Sequence, residues 1–241
     1  MRLTEPFQMK NFSVAHDECA MRVNTDGCLL GALAGSSLKT EDVHHVLDIG
    51  TGSGVIALQM AQRFDKAFVD GVEIHGPSAR QATENFKNSM FNGRMVCYHE
   101  PLQEFTLNVL YDIIVSNPPY FEAGPTKSDQ GVAAARHALT LDFKSLIEYS
   151  SKLLRQSGEF WCILPVDRSG SLIEEAIDEE LYPKSLLYIR PSKNRPPNRV
   201  IIGFSKEGGI DPVKKELILY NEDKNYTQEA NEILLPFYLH L

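Results

Sequence analysis

Short apolar runs alternate with longer amphipathic segments through most of this 241-residue chain, and this alternation restricts its fold more than any other feature. Strands buried on both faces are near-continuous apolar runs, whereas helices that cover a sheet repeat apolar residues every three or four positions. The runs predict strands at residues 43–49, 67–74, 94–98, 111–116 and 158–164. The periodic segments between them predict helices at 55–63, 78–91 and 142–156. This succession indicates a parallel sheet with helices on both faces.

The pattern changes near the C-terminus, where runs at 185–189 and 200–204 follow each other without a helix. Two strands joined directly run antiparallel, so we expect an antiparallel pair at one edge. The predicted fold class is α/β, a doubly wound, seven-stranded, mostly parallel sheet with an antiparallel edge strand. A strand at 215–220 and a helix at 228–235 follow. We expect one domain, made of an N-terminal extension (1–42), a core (43–205) and a C-terminal extension (206–241).

Composition excludes several kinds of protein. With 43% hydrophobic and 23% charged residues, the chain is typical of a globular protein. No apolar run approaches the length of a membrane span, and the N-terminus lacks the apolar core of a signal peptide. We therefore expect a cytoplasmic protein with no membrane partner. The four cysteines are scattered, without Cys-x-x-Cys or a clustered histidine, which predicts neither a metal site nor a disulfide framework.

Charge is distributed unevenly. The net charge is −8, yet the segment from Leu181 to Lys206 contains no Asp or Glu and six Lys or Arg residues. An acidic protein with one basic segment is typical of a molecule that contacts phosphate locally. Earlier in the chain, residues 24–27 are a turn signal, and Asp26 within it is placed to cap a short helix at 28–34.

The first core strand leads into a glycine loop at residues 50–54, with glycines at 50, 52 and 54. Glycines let a backbone turn tightly and approach a ligand closely. The dinucleotide pattern G-x-G-x-x-G fails because position 55 is Val55, and no Gly-Lys-Ser/Thr of a phosphate loop follows. The loop is therefore expected to hold something other than a pyrophosphate or a triphosphate.

Two carboxylates flank this loop. Glu73 ends the second core strand, where a carboxylate can accept hydrogen bonds from both hydroxyls of a ribose. Asp48, just before the loop, could meet a cationic amine or could order the N–H groups of the loop itself. A nucleoside with a cationic tail and no phosphates fits this lining, and S-adenosylmethionine is such a ligand.

The fourth core strand stops at Asn117-Pro118-Pro119-Tyr120. Proline lacks an N–H group and forces the preceding residue into extended geometry, so Asn117 is held stiffly at a strand end. An amide beside an aromatic ring would suit a site that handles a planar amino group. A plain proline-rich strand exit explains the same four residues.

Taken together, residues 46–54, Glu73 and residues 112–120 resemble class I S-adenosylmethionine-dependent N6-adenine methyltransferases. The similarity is closer to the bacterial family that modifies adenine 37 of tRNA1(Val). It extends over nearly the whole chain, through residues 12–14, 21–32, 61–63, 81–85, 117–121, 135–137, 225–227 and 237–239.

This resemblance implies S-adenosylmethionine as cofactor and tRNA as substrate. The residues expected at the cofactor are Thr25, Asp26, Asp48, Gly50, Thr51, Gly52, Gly54, Glu73, Glu100 and Asn117. The sequence departs from the family in one place: the acid that holds the cofactor's adenine is expected at position 101, which is Pro101 here. Glu100 is the candidate to replace it.

The chemistry implied by the resemblance involves Asn117, Pro118 and Tyr120. The lone pair of an aromatic amino nitrogen is delocalised, and two acceptors, the Asn117 side-chain oxygen and the Pro118 carbonyl, would draw it out. Tyr120 would stack on the base, a contact worth about 1–3 kcal/mol. Phe121 could extend this apolar slot or pack in the core.

The RNA contacts expected from the sequence lie in two segments. Lys193, Arg195 and Arg199 belong to the basic segment, between the two strands without a helix, and are candidates for phosphate contacts. A solvated loop is the alternative. Arg136, in the loop after the asparagine motif, could contact RNA or brace the loop.

Two other functions remain open at this stage. A protein-glutamine methyltransferase acting on a release factor could use the same motif, because a glutamine amide is equally planar. The fold could also serve as a non-catalytic nucleotide-binding module. Nothing in the sequence demands more than a monomer.

Overall fold

The computed structural model describes residues 5–119 and 142–239. Its strands are β1 (Phe7–Gln8), β2 (Ser13–Val14), β3 (His45–Ile49), β4 (Phe68–Val72), β5 (Met95–Tyr98), β6 (Tyr111–Ser116), β7 (Leu154–Pro165), β8 (Tyr182–Ser192), β9 (Arg199–Ser205) and β10 (Val213–Tyr220). Its helices are α1 (Thr25–Leu33), α2 (Val55–Arg63), α3 (Gly76–Lys87), α4 (Phe143–Leu153), α5 (Ser169–Asp178) and α6 (Gln228–Leu234).

Within these described ranges, β3 to β10 form one eight-stranded sheet in the order β10-β8-β9-β7-β6-β3-β4-β5. It has one strand more than the seven expected, because β10 also pairs into it. All neighbours are parallel except β9, which is antiparallel to both β7 and β8. The α/β, doubly wound, mostly parallel fold class is therefore confirmed. The antiparallel strand lies inside the sheet instead of at its edge, because β9 inserts between β7 and β8 and β10 then pairs with the outer side of β8.

Strand order reverses between β3 and β6. From β3 the chain builds outward to β4 and β5 on one side, and then returns to place β6 and β7 on the other side. Ligands of open α/β sheets bind at such a switch point, beyond the carboxyl ends of the strands. The side-chain hydroxyl of Ser116 donates to the Ile49 carbonyl at 2.9 Å, which fastens the two strand ends at that point.

Apolar side chains on the two faces of the sheet form separate cores. Along β3, Val46 packs with residues of α1 and α2, whereas its neighbour Leu47 packs with residues of α4 and α5. Both side chains are completely buried. Burial on both faces explains why the core strands are continuous apolar runs and do not alternate.

The two chain termini meet beside α2. The Lys10 amide donates to the Phe237 carbonyl at 2.8 Å, and Met9 forms an isolated bridge with Tyr238. The Gln62 side chain of α2 donates to the Pro236 carbonyl at 2.9 Å. Since both extensions share one core cluster with the helices of the sheet, we propose that the whole chain folds as one domain.

The expected cap of α1 was wrong. The helix begins at Thr25, and the side chain of Asn24 accepts the Gly27 amide at 2.9 Å. Asp26 lies in the first turn instead. The helix starts at Thr25, before its apolar run, because the first turn of a helix needs no apolar residue. Its capping position is therefore Asn24, two residues before Asp26.

Candidate active site

A cavity of about 280 Å³ lies at the carboxyl ends of β3, β4 and β6. Its floor is the glycine loop, and Val72, Glu73 and Ile74 form the wall at the end of β4. Glu100, Leu102 and Gln103 close the side toward β5, and Asn117 and Pro119 close the side toward β6. The switch point therefore carries a pocket that joins all three strand ends.

The glycine loop turns through left-handed backbone. Gly50, Gly52 and Gly54 have φ angles of 70°, 57° and 81°, which residues with a Cβ adopt only with strain. The amide of Gly50 donates to the Val72 carbonyl at 2.8 Å, so the loop is tied to β4. A Cβ on Gly54 would also overlap the buried ring of Phe86.

Asp48 holds the loop from below. Its Oδ2 accepts the Thr51 hydroxyl at 2.7 Å and the Ala57 amide at 3.1 Å, and its side chain is completely buried. Of the two alternatives left by the sequence, ordering the loop is therefore what its contacts show. Burial raises the pKa of Asp48 to about 7. Its Oδ1 is buried and accepts no hydrogen bond from any residue in the described ranges.

Glu73 also braces the loop. Its Oε2 accepts the Gly52 amide at 2.9 Å, and its Oε1 accepts the His75 amide at 2.8 Å. These two bonds fix the carboxylate at the cavity wall, where it remains half-buried. Glu100 lines the same cavity.

The acceptor side of the site is described only in part. Asn117 lines the cavity, together with Pro119. Pro118 follows Asn117 but is not among the residues that line the cavity. Tyr120, Phe121 and Arg136 lie outside the described residues, and their roles stay predictions.

The segment before α1 contributes cavity residues that were not among those expected at the cofactor. Ala20, Met21, Arg22, Val23, Asn24 and Gly27 line the cavity, whereas Thr25 and Asp26 do not. A signal was available, because residues 21–32 are among the stretches that carry the family resemblance. The cofactor roles of Thr25 and Asp26 stay predictions.

Asp26 and Arg199 form an ion pair, with Nε and Oδ2 2.8 Å apart. The pair connects the start of β9 to the first turn of α1.

Within the basic segment, Arg190 pairs with Glu216 and donates to the Arg195 carbonyl. Lys193 and Arg195 are exposed on the connection between β8 and β9. Because β8 is parallel to β10 and to the core strands, this connection lies at the same end of the sheet as Asn117, as expected.

Two negative findings concern the part of the chain that the structure describes. No three His, Cys, Asp or Glu side chains gather there in a way that could hold a metal ion. None of the described helices combines the length and apolar character needed to cross a membrane.

The family profile of the methyltransferase small domain matches residues 31–178. The chain belongs to this family. The match runs from α1 to the end of α5 and includes the glycine loop, Glu73 and Asn117.

Relatives of this small-domain methyltransferase match nearly the whole chain. A protein of Parabacteroides distasonis is 40% identical over 235 residues, covering 97% of each chain, and one of Christiangramia forsetii is 36% identical over 98% of this chain and 99% of its own. A protein of Salmonella typhi is 35% identical over 97% and 94%. All three are named tRNA1(Val) (adenine(37)-N6)-methyltransferase.

Solved structures support the methyltransferase fold. A predicted O-methyltransferase from Agrobacterium tumefaciens superposes with a TM-score of 0.68 at 17% identity, covering 88% of this chain and 96% of its own. A glycopeptide N-methyltransferase complexed with S-adenosyl-L-methionine gives 0.55 at 9% identity, covering 76% and 99%. At these identities the likeness concerns the fold alone.

The Gly54→Ala variant should lose about 3 kcal/mol of unfolding free energy, because the new Cβ meets Phe86 and position 54 has a left-handed backbone. Urea denaturation measures the change. Gly93→Ala is the matched control: no atom lies within 4 Å of the new Cβ, so its effect should stay within about 0.5 kcal/mol. Equal effects of the two substitutions would contradict the assigned role of Gly54.

Asp48 should make stability pH-dependent in the absence of ligand. Below its ordinary pKa of 3.8, the folded and unfolded states both keep the proton. As the pH rises toward 7, the unfolded state releases the proton and the folded state keeps it, so the free energy of unfolding falls. Above about pH 7 both states are ionised, and the loss is complete.

Asn cannot titrate, so the unfolding free energy of Asp48→Asn should rise relative to wild type by about 3 kcal/mol between pH 4 and 8. Urea titrations of both proteins across this range measure the difference. Asp65→Asn, on an exposed aspartate between α2 and β4, is the control that should show little change. If the difference in unfolding free energy between Asp48→Asn and wild type did not change with pH, the pKa assigned to this carboxyl would be refuted.

Proposed function

We propose that this protein transfers a methyl group from S-adenosylmethionine to the N6 amino group of adenine 37 in tRNA1(Val). The observation that carries the proposal is that Asn117, at the end of β6, lines the same cavity as Glu73 and the glycine loop. A donor site and an amide acceptor thus open into one space. Full-length relatives at 34–40% identity bear the name of this activity.

The described residues fit the methyl donor. Glu73 would accept the ribose hydroxyls, and Ile49, Val72 and Leu102 supply apolar walls for a purine. Glu100 is the proposed acceptor for the amino group of that purine. The unpartnered Oδ1 of Asp48 lies beneath the loop, and a cationic ligand would favour the ionised form of this carboxyl, whose pKa without ligand is about 7. When bound, the cofactor supplies an electrophilic methyl group on its sulfonium.

The side chain of Asn117 and the carbonyl of Pro118 would accept hydrogen bonds from the two protons of the target amine. These bonds turn the nitrogen lone pair out of conjugation and aim it at the methyl carbon. The released proton passes to water, since the methylated amine is strongly acidic until it loses that proton. Positioning, not a strong base, is what the protein has to provide. Tyr120 would stack on the extruded base, with Phe121 extending the slot.

The substrate would reach this site over the basic connection between β8 and β9. Lys193 and Arg195 are exposed there and are proposed to contact phosphates. Arg199 is proposed to act at the same surface while its guanidinium is paired with Asp26. Arg136 is proposed as a further RNA contact. We propose that the enzyme is cytoplasmic, because its tRNA substrate is found in that compartment, and that it works as a monomer, because nothing in the sequence demands more.

Asn117→Ala should lower the rate of tRNA methylation at least about a hundredfold, because the amine is no longer oriented. Its affinity for S-adenosylmethionine should stay within about threefold of wild type, since the loop and Glu73 are untouched. Methylation of a tRNA1(Val) transcript with labelled cofactor, followed by nucleoside analysis, measures the first quantity, and calorimetry measures the second.

Asn92→Ala, on an exposed turn before β5, is the control and should methylate normally. Near-normal turnover by Asn117→Ala would eliminate the acceptor mechanism. A release factor in the same assay tests the substrate, because label in that protein and none in RNA would overturn the proposed activity.

In the double variant Lys193→Ala with Arg195→Ala, two phosphate contacts are lost. The slope of the logarithm of the tRNA binding constant against the logarithm of salt concentration should therefore become less steep by about two. Cofactor affinity should be unchanged. Lys39→Ala with Lys66→Ala is the matched control, because these exposed lysines lie at the opposite end of the core strands. An identical slope for both double variants would remove this connection from the RNA surface.

A further inference from the structure

The described residues that line the cavity include three charged side chains: Arg22, Glu73 and Glu100. Glu73 and Glu100 lie on the side of β4 and β5, where the nucleoside is proposed to bind. Arg22 is the single cation among these lining residues, and its side chain is exposed. It has no part in the methyl transfer proposed above.

The backbone that carries Arg22 is fastened on both sides. Before it, the Ala20 amide donates to the Ser78 hydroxyl in the first turn of α3, at 3.3 Å. After it, Asn24 caps α1, and Asp26 is ion-paired with Arg199. Arg22 therefore lies on a short connecting segment, residues 20–24, whose two ends are fixed. This segment, called the bridge below, belongs to no helix or strand.

This bridge and the glycine loop line the same cavity. Its first end is attached to α3, which follows β4, and its second end reaches α2, where Ile56 lies 3.6 Å from the Cβ position of Gly27. The glycine loop leads into α2 and is bonded to α3, because the Asn85 side chain donates to the Ser53 carbonyl at 2.8 Å. Asp48 is buried beneath this loop. A ligand in the cavity thus meets the glycine loop, which covers the buried Asp48, and the segment that carries Arg22.

The amino-acid tail of S-adenosylmethionine carries one carboxylate and one ammonium. If Glu73 takes the ribose and the methyl group faces Asn117, the tail is the part of the ligand left near the loop and the bridge. A buried acid beneath the loop and a cation on the bridge match the two charges of this tail. A carboxylate placed against Glu73 and Glu100 alone would meet only like charge.

We propose that Arg22 binds the carboxylate of the cofactor's amino-acid tail and makes the enzyme select ligands that carry this carboxylate. This inference rests on the proposed function, because it assumes that S-adenosylmethionine occupies the cavity. It assigns a specificity role to the segment before α1, which recognises the part of the cofactor that does not react.

Calorimetry with two ligands tests the assignment. Wild type should bind S-adenosylmethionine at least about tenfold more tightly than decarboxylated S-adenosylmethionine, because only the former offers a charged partner to Arg22. Arg22→Gln should bind S-adenosylmethionine about tenfold more weakly and leave the decarboxylated ligand within about twofold. The preference for the carboxylate should then be nearly gone. Arg22→Lys should keep part of it, since lysine retains the charge.

Lys66→Gln is the matched control, since it removes one exposed cation far from the cavity and should leave the preference unchanged. Thermal unfolding without ligand checks that Arg22→Gln is folded. Equal weakening of both ligands by Arg22→Gln would overturn the inference, because Arg22 would then only support the wall. Unchanged cofactor affinity with a flatter salt dependence of tRNA binding would also overturn it and assign Arg22 to RNA. If wild type bound neither ligand, the proposed function itself would fail.

Discussion

The active site depends on a buried carboxylate under a strained loop. Asp48 joins the Thr51 hydroxyl and the Ala57 amide, and so fixes both the loop and the first turn of α2. Glycines make the left-handed turn possible, but hydrogen bonds are needed to select one conformation from those that glycine allows. The desolvation of Asp48 opposes this arrangement, and the raised pKa of the carboxyl records that cost. A ligand with positive charge would offset it.

The same loop links the two halves of the reaction. In the proposed reaction its glycines hold the methyl donor. The Ser116 hydroxyl fastens the neighbouring strand end, so that Asn117 follows at a fixed place. Parallel strands make this juxtaposition possible, because their carboxyl ends lie on one side of the sheet whatever their separation in sequence. Methyl transfer then requires little beyond placing an amine against the donor.

A third part of the site comes from the segment before α1, which the ion pair of Asp26 and Arg199 holds against β9. This pair joins residues far apart in the chain, and the role of each differs from the one that the sequence suggested. Asp26 was expected to cap a helix, and Arg199 was expected to meet phosphate as one of several exposed cations. A half-buried pair of opposite charges restricts both side chains, so the basic segment presents less mobile charge to RNA than its sequence suggests.

The sequence by itself determined the fold class, the glycine loop, Glu73 and the strand end at Asn117. These features are local: periodicity fixes strands and helices, glycine fixes backbone freedom, and proline stops a strand. Only the tertiary structure decided that β9 lies inside the sheet, that Asn24 and not Asp26 caps α1, and that Arg22 faces the cavity. The place of β9 and the position of Arg22 depend on contacts between distant residues. The cap itself is a local bond between Asn24 and Gly27, but Asp26 is held by the distant Arg199. Hydrogen-bond pairing of sheet edges, charge pairing and burial act across space, and no local pattern of residues encodes them.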